Sequence, residues 1–199
     1  MSKKLRKQPL YIAPEIIGWL DDNNNPIIID ERSGNNLDPR NINDKIAIYE
    51  RQVNDWFLNP ATNLVNYRSR NKGFIILMIC LSYLEGIEQY RRGETSEGNS
   101  RRFFISALNR IYPNQFSNTQ LQSFYSQARC GLFHNGMVQG KIIINNGFSQ
   151  SLEFIGEMDI KVSPSKFLHD IKEDFSLFIH ELRTDIKTQN IFDNMYSNI

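Results

Sequence analysis

Cysteine is scarce in this chain. Cys80 and Cys130 are its only two, they lie far apart, and neither stands at metal-ligand spacing. A disulfide framework and a cysteine-based zinc site are both excluded on that count. We read the pair as reduced thiols of a cytoplasmic protein, with a bond between them as the alternative. Histidine is nearly as rare: His134, His169 and His180 are not accompanied by a carboxylate motif that would build a metal centre. His169 and His180 fall on one face of the last predicted helix and read as surface residues. Net charge is +1, so no global field draws the protein to a polyanion, and any such site must be local. The longest apolar run, from Phe74 to Tyr83, is too short for a bilayer. Lys3, Lys4, Arg6 and Lys7 precede no apolar segment, and Pro9 and Pro14 interrupt the next residues, so the N-terminus is not a secretory signal. We expect a solvated basic arm there, with RNA contact as the alternative. P-loop, GxGxxG and GxSxG patterns are missing as well.

What remains is ordinary globular composition: 40% apolar and 23% charged residues in 199, enough for one domain with a real core. Residues 1–41 carry DDNNNP, SGNN and DPR, which are turn signals, and read as an irregular segment with a short strand at 27–30. From Asn43 the apolar period becomes helical through Ile46, Tyr49, Val53, Trp56 and Phe57, and Pro60 is expected to stop that helix. Arg68, Arg70 and Lys72 then form a basic cluster, read as solvated surface or as phosphate contacts.

The stretch from Phe74 to Leu84 is apolar all round except at Ser82 and should be the central helix of the core. Glu85 and Glu88 emerge at its end, and Glu88 stands four residues before Arg92, a favourable spacing for a surface pair. GETSEGNS at 93–100 reads as a loop. A helix capped by Asn99 or Ser100 comes next and ends near Pro113; a fourth, capped near Asn118, continues into SFYSQARCGLFHNGMV. Beyond Gly140 the period drops to two over 141–144 and 151–155, around Asn145-Asn146-Gly147, which predicts a β-hairpin. A last helix over 164–189 is capped by Ser163, with Pro164 in its first turn. The expected fold is mainly all-α: an up-and-down bundle of about five helices over 42–199, with a small hairpin before the last.

One motif carries chemistry. Arg129 and His134 are separated by Cys-Gly-Leu-Phe near the end of the fourth helix, with Asn135 and Gly136 directly after. Five helical residues turn through about 500°, which sets the two side chains about 140° apart. They share a face only if the helix breaks, which Gly131 and Gly136 would allow, or a second subunit completes the site.

Arg, four residues, then His on a late helix of a bundle resembles the signature of the HEPN superfamily (higher eukaryotes and prokaryotes nucleotide-binding domains). The resemblance covers about residues 42–136. It implies a metal-independent, cofactor-free endoribonuclease whose two protomers bring both motifs into one interfacial cleft. Its partners would be RNA, a second copy of the chain and, in a bacterial defence or toxin–antitoxin setting, an antitoxin or other protein, but not a membrane.

Arg129 and His134 are then the catalytic candidates. Asn135, Arg68 and Arg70 are the candidate substrate contacts. Cys130 departs from the Asn, Asp or His that often follows the Arg in active members, which makes a silent HEPN-like module binding RNA, nucleotide or a partner protein the alternative. From the residues alone, Arg129 and His134 could also simply finish a helix.

Overall fold

The computed structural model describes residues 5–67, 72–157 and 159–197. The architecture is α+β and not an all-α bundle, which corrects the expected fold class. The first correction lies in residues 1–41. Four strands, β1 (Leu10–Ala13), β2 (Ile16–Leu20), β3 (Pro26–Asp30) and β4 (Asn35–Asn36), form an antiparallel meander in chain order. The segments read as loops are its turns. Asp21 accepts from the backbone N–H groups of Asn23 and Asn25 at 2.9 and 2.7 Å, with Asn24 at φ 62°, and Gly34 at φ 72° closes the next turn. Only the strand at 27–30 was legible, because turn residues separate the others closely, Pro14 and Glu15 standing between β1 and β2.

The chain divides into two compact units. One comprises Met1–Pro60, Tyr90–Gly93 and Leu177–Ile199; the other comprises Ala61–Gln89 and Glu94–Ser176. In the first, Ile12, Ala13, Ile16 and Ile28 of the sheet pack with Ile48 of α1 (Ile42–Val53). Buried Gln52 donates to the Ile12 carbonyl at 2.7 Å, satisfying an edge acceptor. Helix α1 is capped by Asn41, whose side-chain oxygen accepts from the Asn43 N–H at 2.9 Å. Pro60 does not stop the helical chain: a π-helical turn over Asn54–Leu58 precedes α2 (Asn59–Asn66), which contains it. A wider i→i+5 turn is one way for helical backbone to accommodate a residue without an N–H.

The second unit is built on α3 (Lys72–Arg92), with α4 (Ser100–Ile111), α5 (Asn118–Phe124), α6 (Gly131–Asn135) and the start of α7 (Pro164–Thr184). Helix α3 is long and apolar enough by length and composition to cross a membrane, yet more than half of its apolar stretch is buried inside the protein. That burial is the pattern of a core helix. Its Ile76, Leu77, Cys80, Leu81 and Leu84 are buried, as are Phe103, Phe104, Phe124 and Phe167 from the helices around it.

The predicted hairpin is the second correction. Strands β5 (Lys141–Ile144) and β6 (Leu152–Ile155) exist, but they do not pair with each other. Both flank β7 (Asp159–Val162), β5 in parallel and β6 antiparallel. The last helix also differs. It ends at Thr184, and Asp185 caps a separate α8 (Ile186–Ser197) by accepting from the Thr188 N–H at 2.9 Å. Ser163 does not cap α7 with its side chain. Its carbonyl accepts from the Phe167 N–H, while its buried hydroxyl has no partner among the described residues.

Candidate functional site

Helix α5 starts on a capping box, in which Ser117 and Gln120 each bond the other's backbone N–H. Its buried Leu121 and Phe124 anchor it, and the helical chain then widens into a π turn over Tyr125–Cys130 before tightening into α6. Such turns cluster at functional positions. Arg129 sits in this one.

The helix does not break between Arg129 and His134. Cys130 and Gly131 are both in right-handed helical conformation, so Gly131 is not the hinge that would bring the two side chains onto one face. Gly131 has a different reason. A Cβ there would lie 2.7 Å from the Met137 carbonyl oxygen and 2.9 Å from the Gln139 nitrogen, because the returning chain packs directly on it. Gly136, at φ 70°, is the left-handed residue that ends α6, and Met137 N–H reaches back to the Gly131 carbonyl.

The guanidinium of Arg129 is held on three sides. Its Nη2 donates to Glu85 Oε2 on α3 at 2.9 Å. It also lies over the rings of Tyr125, at 5.8 Å, and Phe133, at 5.3 Å, four residues before and after it. Glu85 is further held by Ser96, whose hydroxyl donates to Oε1 at 2.7 Å. Ser96 is buried and its N–H bonds Gln89, so the segment read as a loop supplies part of the site. Burial pushes the Glu85 carboxyl up, but hydrogen bonds from Ser96 and Ser100 and the charge of Arg129 outweigh it and leave the group below its ordinary value.

His134 is exposed at the end of α6, and no hydrogen bond to its imidazole occurs among the described residues. Asn135, the last helical residue, is exposed beside it. Arg68 and Arg70 lie outside the described residues. His169 and His180 are exposed on α7; His169 Nε2 stands 3.6 Å from Glu173, one helical turn on. Among the described residues no three His, Cys, Asp or Glu side chains converge as a metal site.

Glu85 and Glu88 both depart from the surface reading. Glu85 is the partner of Arg129, and Glu88 is buried, accepting from Ser106 at 2.7 Å and Arg110 at 3.4 Å. Tyr125 and Phe133 do not stand out in the sequence either. Their spacing of four from Arg129 was the available signal.

A groove of about 700 Å³ opens beside this site, between the start of α4 and α5. Arg101, Arg102, Asn118 and Gln122 line it, and Ile105 and Tyr125 supply apolar surface. Tyr125 is common to the groove and to the Arg129 cluster. Its hydroxyl is pushed above its ordinary value, chiefly by burial and then by its neighbour Cys130. No protein-family model, curated protein or solved structure matches the chain.

Proposed function

We propose that this protein is a cytoplasmic, metal-independent endoribonuclease that works as a homodimer of HEPN-like subunits, with His134 as the acid–base group and Arg129 stabilising charge. The observation that carries the reading is the contrast between the two residues: an exposed imidazole at the end of α6, one turn beyond a guanidinium fixed by Glu85, Tyr125 and Phe133. An imidazole can both donate and accept a proton in such a step.

In the proposed reaction a base takes the proton from the ribose 2′-OH, and O2′ attacks phosphorus. The bond from phosphorus to O5′ breaks, and an acid returns a proton to O5′. The products are a 2′,3′-cyclic phosphate and a 5′-hydroxyl. A guanidinium stabilises the negative charge that builds on the phosphorane oxygens.

Arg129 and His134 lie on one helical stretch with no hinge between them, and in the proposed assembly a second copy brings its own pair to complete the site. Exposed apolar side chains support such an assembly. Phe133 and Met137 flank His134, and Ile75 and Met78 stand on the face of α3 that leads through Ser82 to Glu85. The setting in bacterial defence, with an antitoxin as partner, rests on the HEPN resemblance.

The test is incubation of the purified protein with single-stranded RNA in EDTA, with products resolved by end-group analysis and mass in solution measured by light scattering. Cyclic-phosphate products that survive chelation and disappear in His134→Ala are expected from a dimer. Undiminished cleavage by that variant would sink the assignment.

Two observations favour a second reading, a silent module that binds RNA or nucleotide. Glu85 neutralises the Arg129 charge, and Cys130 replaces the polar residue usual in active relatives of the motif. Binding without cleavage, in the presence or absence of divalent ions, would select it.

A further inference from the structure

We infer that the groove between α4 and α5 is the track for a single strand of the substrate RNA, with Arg101 as its backbone-phosphate contact. This rests on the ribonuclease reading and extends it to residues that the Arg–His motif does not include. The groove volume of about 700 Å³ lies in the size range of small-ligand sites and leaves room for a short stretch of one strand.

Its lining is selective in charge. Among the described residues no carboxylate borders it, while two guanidinium groups and the side-chain amides of Asn99, Asn118 and Gln122 do. The guanidinium groups differ. Arg102 is partly neutralised by Glu94, 2.9 Å from its Nη2, whereas no carboxylate pairs with Arg101 among the described residues.

Arg101 is also positioned. Its guanidinium lies 5.5 Å from the centre of the Tyr125 ring, the same ring that Arg129 contacts at 5.8 Å. One aromatic side chain therefore sets two guanidinium groups on a common platform, one facing the groove and one at the catalytic candidate. A strand held by a phosphate on Arg101 is led towards Arg129. The Asn118 and Gln122 amides can donate to and accept from ribose hydroxyls or base edges. A cationic groove with an aromatic wall is the general arrangement for single strands.

The experiment is fluorescence anisotropy of a labelled, unstructured 2′-fluoro RNA oligonucleotide, which lacks the attacking 2′-hydroxyl and cannot be cleaved, at several salt concentrations. It compares the full chain, Arg101→Glu and the exposed-site control Lys187→Glu, each checked for an unchanged melting temperature. Arg101→Glu should weaken binding about tenfold or more and flatten the salt dependence by about one phosphate contact, with Lys187→Glu close to the parent. Parent-like binding by Arg101→Glu, or equal losses in both variants, would overturn the groove assignment while leaving RNA cleavage by the parent protein standing. Failure of the parent protein itself to bind or cleave RNA would remove the ribonuclease reading and this inference together.

Discussion

The Arg129 guanidinium and the Glu85 carboxylate meet at 2.9 Å across two helices, and both side chains are largely withdrawn from solvent, at 21% and 17% exposure. This pair ties the motif helix to the core helix. It also sets the electrostatic character of the site, because the charge offered by Arg129 is shared with an acid.

The pair should be visible in the pH dependence of stability. Glu85 has its carboxyl held below the ordinary 4.5. A carboxyl depressed in the native state contributes stability above its unfolded value, and that contribution is lost as pH falls through the native value. We expect the melting temperature to fall on acidification below about pH 4.5, and Glu85→Gln to be less stable at neutral pH with part of that acid slope removed. Melting curves between about pH 3 and pH 7 check this; parallel profiles for the two proteins would show that the pair contributes nothing.

A second polar cluster lies deeper in the same unit. Arg110 pairs with Glu88, at 3.4 Å, and with Asp174, while Tyr83 donates to Asp174 at 2.7 Å. Both acids are buried. Arg110→Ala removes the guanidinium that pairs with both buried carboxylates, and removal of one partner from a buried pair costs about 3–5 kcal/mol. Urea denaturation should give a loss of that size, and a loss under about 1 kcal/mol would show that water reaches the acids freely.

The two helical glycines near the site should respond in opposite directions. Gly131→Ala drives a Cβ into the backbone of Met137 and Gln139 and should destabilise by about 1–3 kcal/mol. Gly86→Ala, in α3, meets nothing within 4 Å and should stabilise by up to about 1 kcal/mol through helix propensity. Chemical denaturation of the two variants is the measurement; equal effects would contradict the close packing assigned to Gly131.

Much of the local structure was legible because local signals decide it. The apolar run from Phe74 marks α3 as a core helix, the alternation in KIII marks β5, and the turn residues in DDNNNP and SGNN mark sharp reversals. The N-terminal sheet was obscured by the weight of its turn residues. Turns about ten residues apart, flanked by Tyr11, Ile12, Ile16, Ile17, Trp19 and Ile27 to Ile29, are the pattern of a meander rather than of a loop. Strands this short carry too few alternations to announce themselves.

The sequence by itself determined that α3 is a core helix, where the chain turns and that Arg129 precedes His134 on the end of a helix. Only the tertiary structure decided that β7 separates β5 from β6, that Glu85 is the acid on Arg129, and that Tyr125 carries Arg101 on the same ring as Arg129. The physical reason is range. Helix periodicity and turn chemistry act within a few residues, whereas strand partners, buried ion pairs and shared aromatic platforms join segments tens of residues apart and exist only once the core has closed around them.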